Sequence, residues 1–211
     1  MGALYVDEWQ RKGLKSNDIG QARGDVKIPA GWDPTLEIYE DGYRDLRPLL
    51  KLGPDDLHKI GFAVSLKITD ADLAYLSPLK GLRQLNLYSQ SNITDAGLAH
   101  LAGLTNLEEL CLFRTSVTDA GLKHLAGLKA LRKLILSGTG VRGPGLVHLQ
   151  GLNSLQKLEL RDLPLTDAGV VPFLKGPASL QILELFHTRV TPAGRERLRK
   201  QLPECAVLPW P

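Results

Sequence analysis

The stretch TDAGLAHLAGLTNL, Thr94 to Leu107, returns 24 residues later as TDAGLKHLAGLKAL, Thr118 to Leu131. Recurrence at a fixed short period constrains the fold more than any other feature of the chain. A unit of this size cannot bury its apolar face alone, so successive units must stack and close a core between neighbours.

A leucine frame of the form L-x-x-L-x-L-x-x-T-x-V sets the register. It runs through Leu82/Leu85/Leu87, Leu107/Leu110/Leu112, Leu131/Leu134/Leu136, Leu155/Leu158/Leu160 and Leu180/Leu183/Leu185, with a worn copy at Leu57/Ile60/Phe62. The fourth and sixth positions alternate with outward neighbours, which is strand periodicity with one buried face. After a short turn, Asp-Ala-Gly-Leu opens a helical segment, and Leu98, Leu101 and Leu104 recur at helical spacing. Six strands are expected, side by side and parallel, in a sheet roughly 25 Å across.

Several ladders accompany the frame. Thr94 or Asp95 can cap the helix by accepting orphan backbone N–H bonds; Asp70, Asp95, Asp119 and Asp167 are expected to do so in their own coils, rather than to act as general bases. Thr115, Thr139 and Thr188 carry hydroxyls suited to satisfying turn backbone groups, with Gln90 and Leu163 interrupting the row. His100, His124 and His148 fall at one place in three successive coils. Stacked imidazoles invite a metal reading, but a side chain repeated with the period is read as scaffold; no metal or cofactor is expected.

These coils resemble the leucine-rich repeat family, in particular its bacterial, planctomycete-like type with VTDAGLxxLxxLxxLxxLxLxxT coils. The tail VTPAGRERLRKQLPECAV, Val190 to Val207, is similar to that family's closing coil, a helix followed by L-P-x-C and a final short strand. The resemblance spans about residues 57–207 and implies an α/β solenoid, with a curved parallel sheet on the concave face and short helices on the convex face. It also implies a protein-binding scaffold and brings no catalytic motif. The fourth coil departs from the pattern with Arg142, Gly143 and Pro144, and the first carries Asp72 where the others have Gly. Pro164 and Pro172 roughen the fifth.

The reading divides the chain into an N-terminal arm (1–33), a cap (34–56), the repeats (57–189) and a C-terminal capping coil (190–211). A cap is needed because a solenoid exposes raw core at each end. Residues 1–56 carry 8 Lys/Arg against 11 Asp/Glu, a balance of −3, whereas 57–211 carry 18 against 12, or +6. Arg195, Arg197, Arg199 and Lys200 cluster near the end but lack the interleaved aromatics of a nucleic-acid surface, so no nucleic-acid partner is expected. No stretch approaches the ~20 apolar residues that span a bilayer. The start, MGALYVDEWQRKGLK, lacks the basic-then-apolar pattern of a secretory leader, and two cysteines fit a reducing compartment; a cytoplasmic location is expected.

Function is expected on outward strand positions, which core packing does not dictate. The candidate binding residues are Tyr88, Glu109, Phe113, Arg114, Lys133, Ile135, Lys157, Glu159, Arg161, Glu184, Phe186 and His187. Aromatics and Arg dominate interface hot spots, and the surrounding mixed charge favours specificity. An enzyme reading would rest on Cys111 as a nucleophile with Arg114 lowering its pKa, but no base lies nearby in the pattern. No Gly-rich phosphate loop, H-E-x-x-H or G-x-S-x-G motif is present. The chain therefore reads as a non-catalytic protein-binding scaffold; the alternative is a substrate-receptor or assembly subunit of a larger complex, docking through residues 1–56.

Overall fold

The computed structural model describes residues 4–5, 35–38, 46–170 and 176–209. Its frame is one sheet of nine strands in chain order. Strand β1 (Leu4–Tyr5) pairs antiparallel with β2 (Thr35–Ile38). From there every neighbour is parallel: β3 (Lys59–Phe62), β4 (Gln84–Asn86), β5 (Glu109–Cys111), β6 (Lys133–Ile135), β7 (Lys157–Glu159), β8 (Ile182–Glu184) and β9 (Ala206–Leu208). The register matches the leucine frame: Ile60, Leu85, Leu110, Leu134, Leu158 and Leu183 are mutual partners. The parallel part is longer than the six strands of the frame: Ala206–Leu208 is the final short strand that the closing coil implies, and Thr35–Ile38 adds one at the other end, for about 35 Å in all.

The helical side is built of short pieces. In chain order come helices α1 (Asp70–Leu73) and α2 (Asp95–Leu101), 3-10 turns at Leu122–Leu125 and Pro144–Leu149, and helices α3 (Asp167–Val170) and α4 (Pro192–Gln201). One continuous core runs from Leu36 to Val207, and every inward residue of the frame is buried, the worn copy Leu57/Ile60/Phe62 included. Because each leucine packs on its counterparts in the coils before and after, no coil owns its own core.

The Thr ladder behaves as expected: Thr115, Thr139 and Thr188 each donate from Oγ1 to the carbonyl three residues back, at 2.7–2.8 Å. Gln90, the interruption, is 1% exposed and bridges coils, donating to the Ala63 carbonyl at 3.0 Å and accepting from the Ile68 N–H at 3.3 Å.

The aspartates correct the expectation. Thr, not Asp, caps the helix: Thr94, Thr118 and Thr191 accept from the N–H of Ala96, Ala120 and Gly194. Each Asp instead reaches forward into the next coil. Asp70 accepts from the N–H and Oγ1 of Thr94, Asp95 from those of Thr118, and Asp167 from those of Thr191, at 2.5–2.8 Å. Asp119 meets Arg142, which has no hydroxyl at that position, and takes three backbone N–H groups, from Arg142, Gly143 and Gly145, at 2.8–2.9 Å. This bridge explains the glycine of T-D-A-G. A Cβ on Gly97, Gly121 or Gly194 would collide with the carboxylate of the preceding coil's Asp. Asp72, at the glycine position of the first coil, closes a capping box with Thr69.

The fourth coil differs in kind. Gly143 stands where the others have Asp, at φ 122°, against the backbone of Gly169. Among the described residues, this seam between the fourth and fifth coils has no carboxylate bridge on the helical side. Pro172 lies outside the described residues.

Candidate functional site

The alternation of the strands lifts three rows of side chains off the sheet, away from the helices. The first row is Lys59, Gln84, Glu109, Lys133, Lys157 and Ile182; the second is Gly61, Asn86, Cys111, Ile135, Glu159 and Glu184. The third follows the strand ends, with Tyr88, Phe113, Arg161 and Phe186. Immediately after it the backbone turns left-handed: Ser89, Arg114, Asp162 and His187 have φ of 53–58°, and Gly138 has 69°. This recurring αL corner turns Arg114 and His187 onto the rim of the sheet.

The twelve predicted residues fall into two groups. In the C-terminal half, Glu184 is 4% exposed and lies among cations. Lys157 Nζ sits 2.9 Å from both Glu159 Oε1 and Glu184 Oε1, and Arg161 ion-pairs with Glu184 through Nε and a terminal nitrogen. Burial pushes the Glu184 carboxyl up, but hydrogen bonds from Lys157 and Arg161 outweigh it and hold it below the usual range. The hydrogen bond to Glu184 raises Lys157 in turn. The Arg161 guanidinium also lies 5.4 Å from the centroid of the Phe186 ring. His187 leaves this group, pairing at 2.9 Å with exposed Asp162. Two cations and two carboxylates thus close on themselves, and Glu184 is an internal member of the network rather than an exposed contact.

The N-terminal half is organised by rings. Tyr88 stacks on Phe113 with centroids 4.7 Å apart and planes 8° from parallel. Arg114 places its guanidinium 5.1 Å from the Phe113 centroid. Even so, Tyr88 keeps 40% of its surface exposed. Beside the rings a pocket of about 250 Å³ opens between Lys59, Gln84, Asn86, Tyr88, Glu109, Cys111, Lys133 and Ile135. Gln84 donates to Glu109 at 3.2 Å, whereas Lys59 and Lys133 pair with no described carboxylate. Lys59, Gln84, Asn86 and Cys111 were absent from the predicted set; their places in the outward rows were the available signal.

Cys111 does not behave as the nucleophile reading requires. Burial pushes its thiol up, with only partial relief from a backbone hydrogen bond and Lys133, while Arg114 leans on Phe113. Cys205 is buried and pushed up to about 11. No group of three or more His, Cys, Asp or Glu among the described residues is placed to hold a metal ion. The His ladder lies on the helical side, with His100 and His148 exposed and His124 half-buried. No helix among the described residues is long and apolar enough to cross a membrane.

No protein-family model matches the chain, and no curated protein does. Solved structures do match. Internalin C2 from Listeria monocytogenes superposes with a TM-score of 0.62 at 25% identity, over 82% of this chain and 69% of that one. A leucine-rich repeat protein of Leptospira interrogans gives 0.52 at 24% identity, over 72% of this chain and 43% of that one. The chain therefore has the fold of leucine-rich repeat proteins: a solenoid with its parallel sheet on the concave face and short helices on the convex face.

Proposed function

We propose that the protein is a non-catalytic scaffold that binds another protein through its concave sheet, in a bacterial, cytoplasmic setting. The observation that carries this reading is the half-exposed Tyr88–Phe113 stack on a face that the core does not require to be apolar. Eight parallel strands offer a surface about 35 Å long, wide enough for a helix or a small domain, and the fold-level likeness to repeat proteins supports the same class of role. The close match of the coils to VTDAGLxxLxxL is the reason to place the chain with the planctomycete-like type.

The test is capture from native lysate with wild type and a Phe113→Asp/Phe186→Asp variant whose circular dichroism matches wild type. A protein held by wild type and lost with the variant supports the concave face. Retention by both moves the interaction to residues 1–56, the assembly-subunit alternative, or to the basic helix α4.

A further inference from the structure

We propose that the pocket between Lys59 and Lys133 is the specificity site of the concave face, and that it takes a large apolar side chain from a partner segment carrying a carboxylate beside it. This rests on the concave-face reading and narrows it to a place and a chemistry.

Three observations converge. The first is size. At about 250 Å³ the pocket falls below the ~300–1,000 Å³ typical of metabolite sites but accommodates an anchoring side chain. The second is lining. Its middle is Cys111 and Ile135, with Tyr88 as a wall held upright by its stack on Phe113. A pre-oriented aromatic wall beside an apolar floor is the arrangement in which interface hot spots concentrate.

The third is charge. In the C-terminal half, Lys157 and Arg161 are matched by Glu159 and Glu184, so a partner's carboxylate would have to displace an existing pair. In the pocket, two lysines face one carboxylate, and that carboxylate, Glu109, already accepts from Gln84. Exposed Arg114, over the Phe113 ring that backs Tyr88, adds a further cation nearby. Lys133 and Ile135 lie on the same face of β6, about 7 Å apart along the strand. The partner's carboxylate and its apolar anchor should therefore be separated by one to three residues of extended chain.

The experiment is selection of the full chain against a random dodecapeptide library displayed on phage. Synthetic versions of the enriched peptides are then measured by fluorescence anisotropy against wild type, Lys59→Glu/Lys133→Glu and Phe186→Asp, each checked for folding. The expected peptides share an aromatic or large aliphatic residue with Asp or Glu within three positions. The double charge reversal should weaken them about tenfold at low salt, as two exposed pairs turn from attraction to repulsion, and the difference should shrink at high salt. Replacing the peptide carboxylates by Lys should restore binding to the reversed variant. Enriched peptides without acids, or no enriched peptide, overturn the proposal. Binding that survives the charge reversal but is lost with Phe186→Asp refutes this pocket and leaves the concave-face reading standing. Binding indifferent to every variant refutes both.

Discussion

The forward-reaching aspartates make a quantitative prediction at Gly121. This residue has ordinary helical angles, φ −73° and ψ −28°, so alanine there fits the backbone. On conformational grounds Gly→Ala should stabilise by about 0.4–1 kcal/mol. The new methyl, however, would land on the Asp95 carboxylate, 3.0 Å from Cγ and 3.2 Å from Cα. Asp95 would have to swing away and give up its bonds to the Thr118 N–H and Oγ1, 2.7 and 2.5 Å long. Hydrogen bonds to charged groups contribute about 1.5–3 kcal/mol; solvent access at this half-exposed site lowers that to about 1 each. Gly121→Ala should therefore destabilise by about 1–1.5 kcal/mol net, and Asp95→Ala by about 2. With Asp95 already truncated, most of the obstacle is gone, and Gly121→Ala should be neutral or slightly stabilising. The coupling energy is about 2 kcal/mol. Urea unfolding of the four proteins, compared at a common m-value, measures it. Simple additivity would refute the bridge as the reason for the glycine.

Three further outcomes follow from the structure. Glu184, held low, contributes stability that is present above the unfolded Glu value of ~4.3 and lost as pH falls through its folded value. Lys157, held high, contributes stability present below ~10.4 and lost as pH rises through its own folded value. The thermal stability difference between wild type and Glu184→Gln should thus plateau between those limits and shrink on both sides; a difference flat from about pH 3 to about pH 11 would contradict the network. Gln90→Leu orphans the Ala63 carbonyl and the Ile68 N–H and should destabilise by about 2–4 kcal/mol, read from the urea midpoint. Both cysteines should label more slowly at neutral pH than a free thiol, Cys205 more slowly than Cys111; fast labelling of Cys111 would reopen the nucleophile reading.

The leucine frame was legible because a parallel sheet repeats one geometry: once Leu85 and Leu110 are aligned, Gln84, Asn86 and Tyr88 must face outward together. The Thr ladder was legible for a similar reason, since each hydroxyl bonds within its own turn. The Asp ladder was not. Locally, Thr94 and Asp95 are equivalent cap candidates, and only the stacking distance between coils shows that Asp95 reaches Thr118. The fate of Glu184 was hidden likewise. Its row position is outward, but its burial depends on Lys157 and Arg161, one coil earlier, folding over it. Rows can be read from a period, whereas the directions taken by long side chains across coils depend on three-dimensional neighbours.

The bridge also gives the solenoid a grammar for changing length. Each coil offers a carboxylate forward and a glycine backward, so a duplicated or deleted unit rejoins cleanly only if the cut preserves both halves of that exchange. Among the described residues the seam between Gly143 and Gly169 is exempt, because Gly143 has no carboxylate to offer and the Thr166 hydroxyl on the receiving side accepts from the Gly169 N–H of its own coil. A recombination event placed at that seam breaks no side-chain bridge on the helical side. Among the described seams, it is the point at which the array can gain or lose coils at least cost to its neighbours.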